Sequence, residues 1–265
     1  FVTFSHSTPQ GTFPERDMSG NLSTYRQPLL FYLALVALGA AIYANSLSNP
    51  LIFDDLLAIE RNPNIRQLWP PTWLTSFWNP SIGVDGRPLV SFTLALNYAV
   101  GELSVEGYRA TNIALHLLCA ALLMALVRRT LMQTTVPPEF RRSAAFIAFA
   151  SALIWMAHPL QSQAVNYITQ RSESLMALCY LATLYCALRG FDDRQLIWHP
   201  VAVLCCALGM GAKESMATAP VVVLLYHAAY GGRSISSAWR ANWPLYAGLG
   251  STWVLSAALL WNTPH

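Results

Sequence analysis

The sequence predicts an all-α polytopic membrane protein with about seven transmembrane helices and a large polar loop after the first. Charged residues are 11% of its 265 residues and hydrophobic ones 54%, whereas soluble domains carry roughly 25% charge. Apolar windows near the roughly 20 residues needed to cross a bilayer fall at about 29–47, 108–127, 143–158, 174–189, 196–211, 216–231 and 244–261. Backbone polar groups in lipid must be satisfied inside their own segment, so each window is a helix. The third, fifth and sixth windows are short, which leaves six spans as the alternative.

Residues 1–28 are expected to form a tail and residues 29–265 the transmembrane domain, with no room for a separate soluble domain. The first seventeen residues show no periodicity. Nothing before residue 28 has the basic start, short apolar core and small-residue cleavage site of a signal peptide, so the first span is expected to stay as an anchor. Ten of the sixteen Lys and Arg residues, among them Arg128, Arg129, Arg141 and Arg142, fall on the side that holds the N-terminus. The positive-inside rule makes that side cytoplasmic and places residues 48–107 outside. Arg61, Arg66, Arg87, Arg109, Arg171 and Lys213 are then the outer cations.

Within the outer loop, Asn62-Pro63 and Trp69-Pro70-Pro71 break the chain. Its tryptophans suit the headgroup zone, and LVSFTLALNYAV after Pro88 is patterned for a helix along the interface. The arginines are scattered with no basic stripe among aromatics, which excludes nucleic acid as a partner. Cys119, Cys179, Cys186, Cys205 and Cys206 lie in apolar runs without CxxC spacing and read as buried thiols.

Four groups on the outer side can carry chemistry. Asp54 and Asp55 are adjacent carboxylates that repel each other; they suit a general base or a ligand for a divalent cation, and their bland alternative is a solvated helix start. Arg87, held before Pro88, can fork onto a phosphate or pair with Asp85 or Glu102. In HPLQSQAVNYITQRSES, residues 158–174, a helix beginning near Leu160 puts Gln163, Tyr167, Gln170, Arg171 and Ser174 on one face. An arginine at that depth must look into protein or water, while His158 also reads as an end-capping histidine. Lys213 and Glu214 interrupt two apolar runs, as a snorkelling turn or as the cation completing an anion site.

The succession NPLIFDD, NPNI, GRPL, FTLALNY, GYRATNIALHLL, HPLQSQAVNYITQRSESLMAL, LYCALRG and GAKES resembles the GT-C membrane glycosyltransferases, specifically bacterial relatives of the transmembrane O-mannosyltransferases that carry tetratricopeptide repeats. The likeness covers about residues 29–231. Animal members are similar to HPVHTEAV where this chain has HPLQSQAV, so Gln161 and Gln163 replace a histidine and a glutamate. The resemblance implies a bacterial inner-membrane protein and a polyprenyl-phosphate-linked sugar as donor. It implies an aspartate in the first outer loop, Asp54 or Asp55, as the catalytic or metal-associated acid. Arg87, His158, Arg171, Lys213 and Glu214 lie in its motif blocks as phosphate or lipid-donor contacts. Expected partners are membrane lipids, the lipid-linked sugar, and other membrane subunits covering the later helices. GT-C enzymes usually have more spans than seven, and this family continues into repeats. A catalytically inactive GT-C-like accessory subunit is therefore the alternative to an active enzyme.

The orientation is testable directly. A cysteine at Ser81 is expected to label from the outer face of intact cells and one at Thr134 to stay protected; the reverse pattern inverts the assignment.

Overall fold

A computed structural model describes residues 22–77, 86–193, 197–231 and 234–261. The tail up to residue 21 and Asp85, Arg194 and Arg233 lie outside these described residues, so expectations that involve them have no structural counterpart. Seven helices coincide with the seven apolar windows: α1 (Leu22–Tyr43), α3 (Val105–Leu131), α5 (Ala144–Ala157), α7 (Arg171–Asp193), α8 (Trp198–Met210), α9 (Ala219–Tyr230) and α11 (Trp243–Trp261). Shorter helices are α2 (Pro88–Gly101), α4 (Pro138–Arg142), α6 (Gln161–Asn166) and α10 (Ile235–Ala241). Among the described residues three segments are long and apolar enough to cross a membrane: Gln27–Ser46, Val105–Leu131 and Ile168–Asp192.

Local chemistry explains the helix ends. Glu106 stands in the first turn of α3 and Arg128 and Arg129 in its last, matching the sign of the helix dipole at each end. Pro88 opens α2 where a missing N–H costs nothing. Small residues then let helices approach. Ala120, Ala148 and Ala152 are fully buried between α3 and α5. A Cβ on Gly39 of α1 would press into Leu117 and the Met156 sulfur, a close approach typical of helices packing in lipid.

The segment between α1 and α2 folds down onto the bundle. Ala58, Ile59 and Ile65 pack with Val90 and Leu94 of α2. Asn62 bridges Ala58 O (3.1 Å) and Asn64 N (2.9 Å), and the Arg66 guanidinium lies 4.5 Å from the centre of the Tyr98 ring. The loop is thus a lid of short turns with its own apolar underside.

Asp55 and Arg109 join this lid to the helices, and Arg171 ties α7 to α2 and α3 beneath it. Asp55 is wholly buried. Its carboxylate accepts the backbone N–H of Ile168 (3.2 Å) and Thr169 (2.8 Å) and the Thr169 hydroxyl (2.5 Å). These amides open the helical run into α7, where N–H groups have no partner in their own helix and negative charge is favoured. Arg109, also buried, donates to Asn49 O (3.0 Å), Pro50 O (2.6 Å) and Asn166 O. Arg171 donates to Asn112 Oδ1 (2.7 Å), Asn97 Oδ1 (2.6 Å) and Tyr108 O (2.9 Å). Left without these acceptors, a buried guanidinium would strongly destabilise the fold, since its charge would face a low-dielectric interior unpaired.

Asp54 behaves oppositely to its neighbour. Phe53 adopts φ 47°, a left-handed conformation that costs a bulky residue about 1–3 kcal/mol. That turn sends Asp55 inward and leaves Asp54 exposed, with the Asp54 N–H donating to Tyr167 Oη at 3.0 Å.

Stability separates the pair. Asp55→Leu strands three buried donors and is expected to destabilise the fold by about 2–4 kcal/mol, whereas Asp54→Asn is expected to change stability by less than ~0.5 kcal/mol. Thermal unfolding in detergent checks both, and equal melting temperatures for the two variants would refute the assignment.

Candidate functional site

The helix ends nearest the lid enclose a chamber of about 440 Å³. Its floor is His116 and Cys119 of α3 with Trp155 of α5, and its upper wall is polar: Gln161 and Gln163 from α6, Gln170, Glu173 and Ser174 around the start of α7, and Lys213. Gln170, Glu173, Ser174 and Ala177 recur at helical spacing, so one face of α7 supplies a whole side.

His116 is held on three sides. Its Nε2 lies 3.1 Å from Met156 O, which also accepts the Tyr43 hydroxyl at 3.0 Å. Its ring stacks on Trp155 (4.9 Å, 30°) and meets Tyr43 edge-on (5.3 Å, 85°). A carbonyl can only accept, so Nε2 carries a proton, and in the neutral ring Nδ1 is the acceptor.

Lys213 forms an ion pair with Glu173 at the chamber wall. One residue on, Glu214 Oε2 lies 4.0 Å from Arg87, whose other amino group is 3.4 Å from the Ser172 hydroxyl. The Leu89 N–H donates to Gly211 O at 3.0 Å and fixes the start of α2 against the α8–α9 turn. Four charges from three segments therefore alternate in sign along one edge.

Below the chamber an apolar groove of about 470 Å³ runs past Leu123, Tyr180 and Leu181 to Thr218. Chamber and groove share Trp155, Met176 and Ala177 as walls. A polar compartment and an apolar slot thus lie side by side, against the same three side chains.

The sequence-based convergence of Asp54, Asp55 and Arg171 on one cavity is replaced by a different arrangement. Lys213 lines the chamber, and Arg87 and Glu214 stand together on the edge beside it. Arg171 turns its guanidinium into the packing of α2 and α3, and Asp55 is engaged with Ile168 and Thr169. His158 ends α5, is exposed, and accepts the Leu160 N–H at its own Nδ1 (3.2 Å). Of the two partners read for Arg87, Asp85 lies outside the described residues and Glu102 stands at the far end of the 14-residue α2, so among the described residues the ion pair is with Glu214. Asp54 sits beside Tyr167, whose hydroxyl is raised above its ordinary pKa by partial burial, reinforced by the Asp54 and Asp55 carboxylates. That phenol keeps its proton and can donate to Asp54.

Sequence reasoning passed over Glu173 and His116. A continuous helix from Leu160 puts Arg171 on the polar face. The chain instead breaks at Tyr167 (ψ 109°) and restarts, so the face presented is Gln170, Glu173 and Ser174. Among the described residues no three His, Cys, Asp or Glu side chains converge as a metal site would require. With the Asp55 oxygens taken by donors, Asp54 and Asp55 do not fit together on one divalent ion.

Residues 85–261 match the dolichyl-phosphate-mannose-protein mannosyltransferase family. The chain is 28% identical over 205 residues to Protein O-mannosyl-transferase Tmtc3 of Drosophila melanogaster, covering 71% of this chain and 22% of that protein. It is 27% identical over 202 residues to human Protein O-mannosyl-transferase TMTC2, covering 72% and 23%, and 29% identical over 186 residues to Protein O-mannosyl-transferase F38B6.6 of Caenorhabditis elegans, covering 68% and 26%. The matched region thus spans about a quarter of the length of these relatives. No solved structure matches the chain. With the family match covering most of its length and the all-helical apolar fold in accord with it, the chain belongs to the dolichyl-phosphate-mannose-protein mannosyltransferase family, a GT-C membrane family.

Proposed function

We propose that this protein transfers a sugar from a polyprenyl phosphate to an acceptor hydroxyl at the outer face of a bacterial inner membrane, with its N-terminus cytoplasmic. The observation that carries the reading is a polar chamber set directly beside an apolar groove, with Trp155, Met176 and Ala177 lining both. A donor with a sugar, a phosphate and a long hydrocarbon tail requires that pairing. The volume suits it, since small-molecule sites are typically ~300–1,000 Å³. Mannose, the sugar in the relatives' names, is the first donor to test.

The residues divide the work. The glutamines and Ser174 offer neutral donors and acceptors to sugar hydroxyls, Trp155 offers a ring face, and the His116 Nδ1 lone pair accepts a hydroxyl at the floor. In the reaction the acceptor oxygen bonds to the anomeric carbon and its proton passes to a carboxylate. The anomeric carbon–oxygen bond to phosphate breaks, and its electron pair leaves with the phosphate. Asp54, exposed on the lid, is the carboxylate assigned to the proton. Lys213 and Arg87 meet the charge that develops on phosphate, where a water-poor site strengthens each interaction. Glu173 and Glu214 hold those cations until substrate arrives. Asp55, Arg109 and Arg171 position the wall, and His158 stands at its rim. No step is routed through a divalent cation.

A second reading, a non-catalytic subunit of a membrane complex, has one observation in its favour. Three of the charged residues in the family-like motifs are committed to structure, Asp55 and Arg109 holding the lid and Arg171 holding α7 against α2 and α3. On that reading other membrane proteins cover the later helices.

Membranes carrying the protein, supplied with radiolabelled polyprenyl-phosphate mannose, distinguish the two. Asp54→Asn is expected to lower transfer about 10²-fold or more and Lys213→Met about 10²-fold, both without loss of folded protein. Parent-level transfer in Asp54→Asn would remove that residue from the chemistry. Sugar transfer equal to protein-free membranes, across a panel of polyprenyl-phosphate sugars, would favour the subunit.

A further inference from the structure

At the far end of α3 and α7 lies a second cavity, of about 370 Å³. Tyr32 of α1, Arg128, Arg129 and Gln133 at the end of α3, and Tyr185 and Asp192 of α7 line it. Glu173 in the chamber and Asp192 here stand on one helix, roughly 28 Å apart at about 1.5 Å per residue. The hydrocarbon core is roughly 30 Å thick. With the chamber at one membrane interface, this cavity falls in the headgroup layer of the other.

Its charges are unevenly matched. Arg129 Nε donates to Asp192 at 2.9 Å, and the Gln133 amide lies 3.3 Å from the same carboxylate oxygen. That acid is compensated. The half-buried Arg128 guanidinium has no ion pair or hydrogen bond among the described residues. The phenols of Tyr32 and Tyr185 stand in the same wall as further donors. A planar cation flanked by hydroxyls matches the oxygens of a phosphate.

The surroundings say what carries the phosphate. Leu33 and Val36 follow Tyr32 on α1, one and four residues further toward the middle of the membrane, and both are exposed. An apolar strip therefore leads from the cavity toward the middle of the membrane. A free anion has no use for that strip, whereas acyl chains do. Cations next to a span attract anionic headgroups in the same layer.

We propose that this cavity holds the headgroup phosphate of an anionic phospholipid, gripped by Arg128 with Tyr32 and Tyr185 donating and an acyl chain laid along α1. The site is separate from the chamber and does not rest on the transferase reading. It would lock α1, α3 and α7 together at the end away from the lid.

The test follows melting of the detergent-purified protein during titration with dioleoyl-phosphatidylglycerol, dioleoyl-phosphatidylcholine or sodium phosphate. Phosphatidylglycerol is expected to stabilise at far lower concentration than the other two. Arg128→Gln should raise its half-maximal concentration about tenfold with the lipid-free melting temperature unchanged. Tyr32→Phe should shift it in the same direction by a smaller factor, and decides the matter alone if Arg128→Gln does not fold. An unchanged half-point in the folded variants overturns the site. Equal stabilisation by phosphatidylcholine overturns the preference for an anionic lipid, and equal stabilisation by inorganic phosphate shows an anion site and overturns the lipid as its source.

Discussion

The Asp55 carboxylate, set on the first amides of the run into α7, is the contact on which the rest of the site depends. A helix that begins inside a membrane protein leaves several N–H groups without acceptors, and water is not there to supply them. Asp55 supplies them from a segment more than a hundred residues earlier in the chain. The same contact fixes where α7 starts, and so which face carries Glu173 toward the chamber. Arg109 and Arg171 extend the joint on either side, each donating to three acceptors. The lid, the α6 segment and the start of α7 are thereby a single piece.

This division of labour follows from the cost of charge in a low-dielectric setting. A charge that is fully hydrogen-bonded is stable there and chemically quiet. Asp55, Arg109 and Arg171 are of that kind. Charges at a cavity wall or on its edge, held by partly exposed partners, are the ones a substrate can recruit; Lys213 with Glu173, and Arg87 with Glu214 and Ser172, fit that description. Asp54 differs again: the left-handed turn at Phe53 holds it out of the packing, beside a phenol that keeps its proton. Strain of this sort persists only where surrounding contacts impose it.

Much of the architecture was legible in the residues. The seven apolar windows coincide with seven helices, three of them in segments long and apolar enough to cross a membrane, because a continuous apolar run buries its backbone polar groups most readily as a helix. The polar loop and the motif blocks meet at one end of the bundle, where Asp55 joins the start of α7. Individual roles were harder to read, for two reasons. Adjacent residues such as Asp54 and Asp55 have the same chemistry, and a backbone turn that no composition reveals decides which is buried. The helical phase across residues 160–174 also depends on a break at Tyr167, which shifts the polar face from Arg171 to Glu173. His116 could have been noticed as an ionisable residue inside an apolar run, a placement that already marks a functional candidate.

Amide hydrogen exchange across residues 165–177, compared between the parent and Asp55→Asn in detergent or nanodiscs, tests the central claim most directly. If the carboxylate anchors α7, the parent protects Ile168 and Thr169. The variant then exchanges faster through this segment and the chamber wall, while α11 keeps its protection. Equal protection of residues 165–177 in both proteins would contradict the account, because the start of α7 would then be held by something other than Asp55.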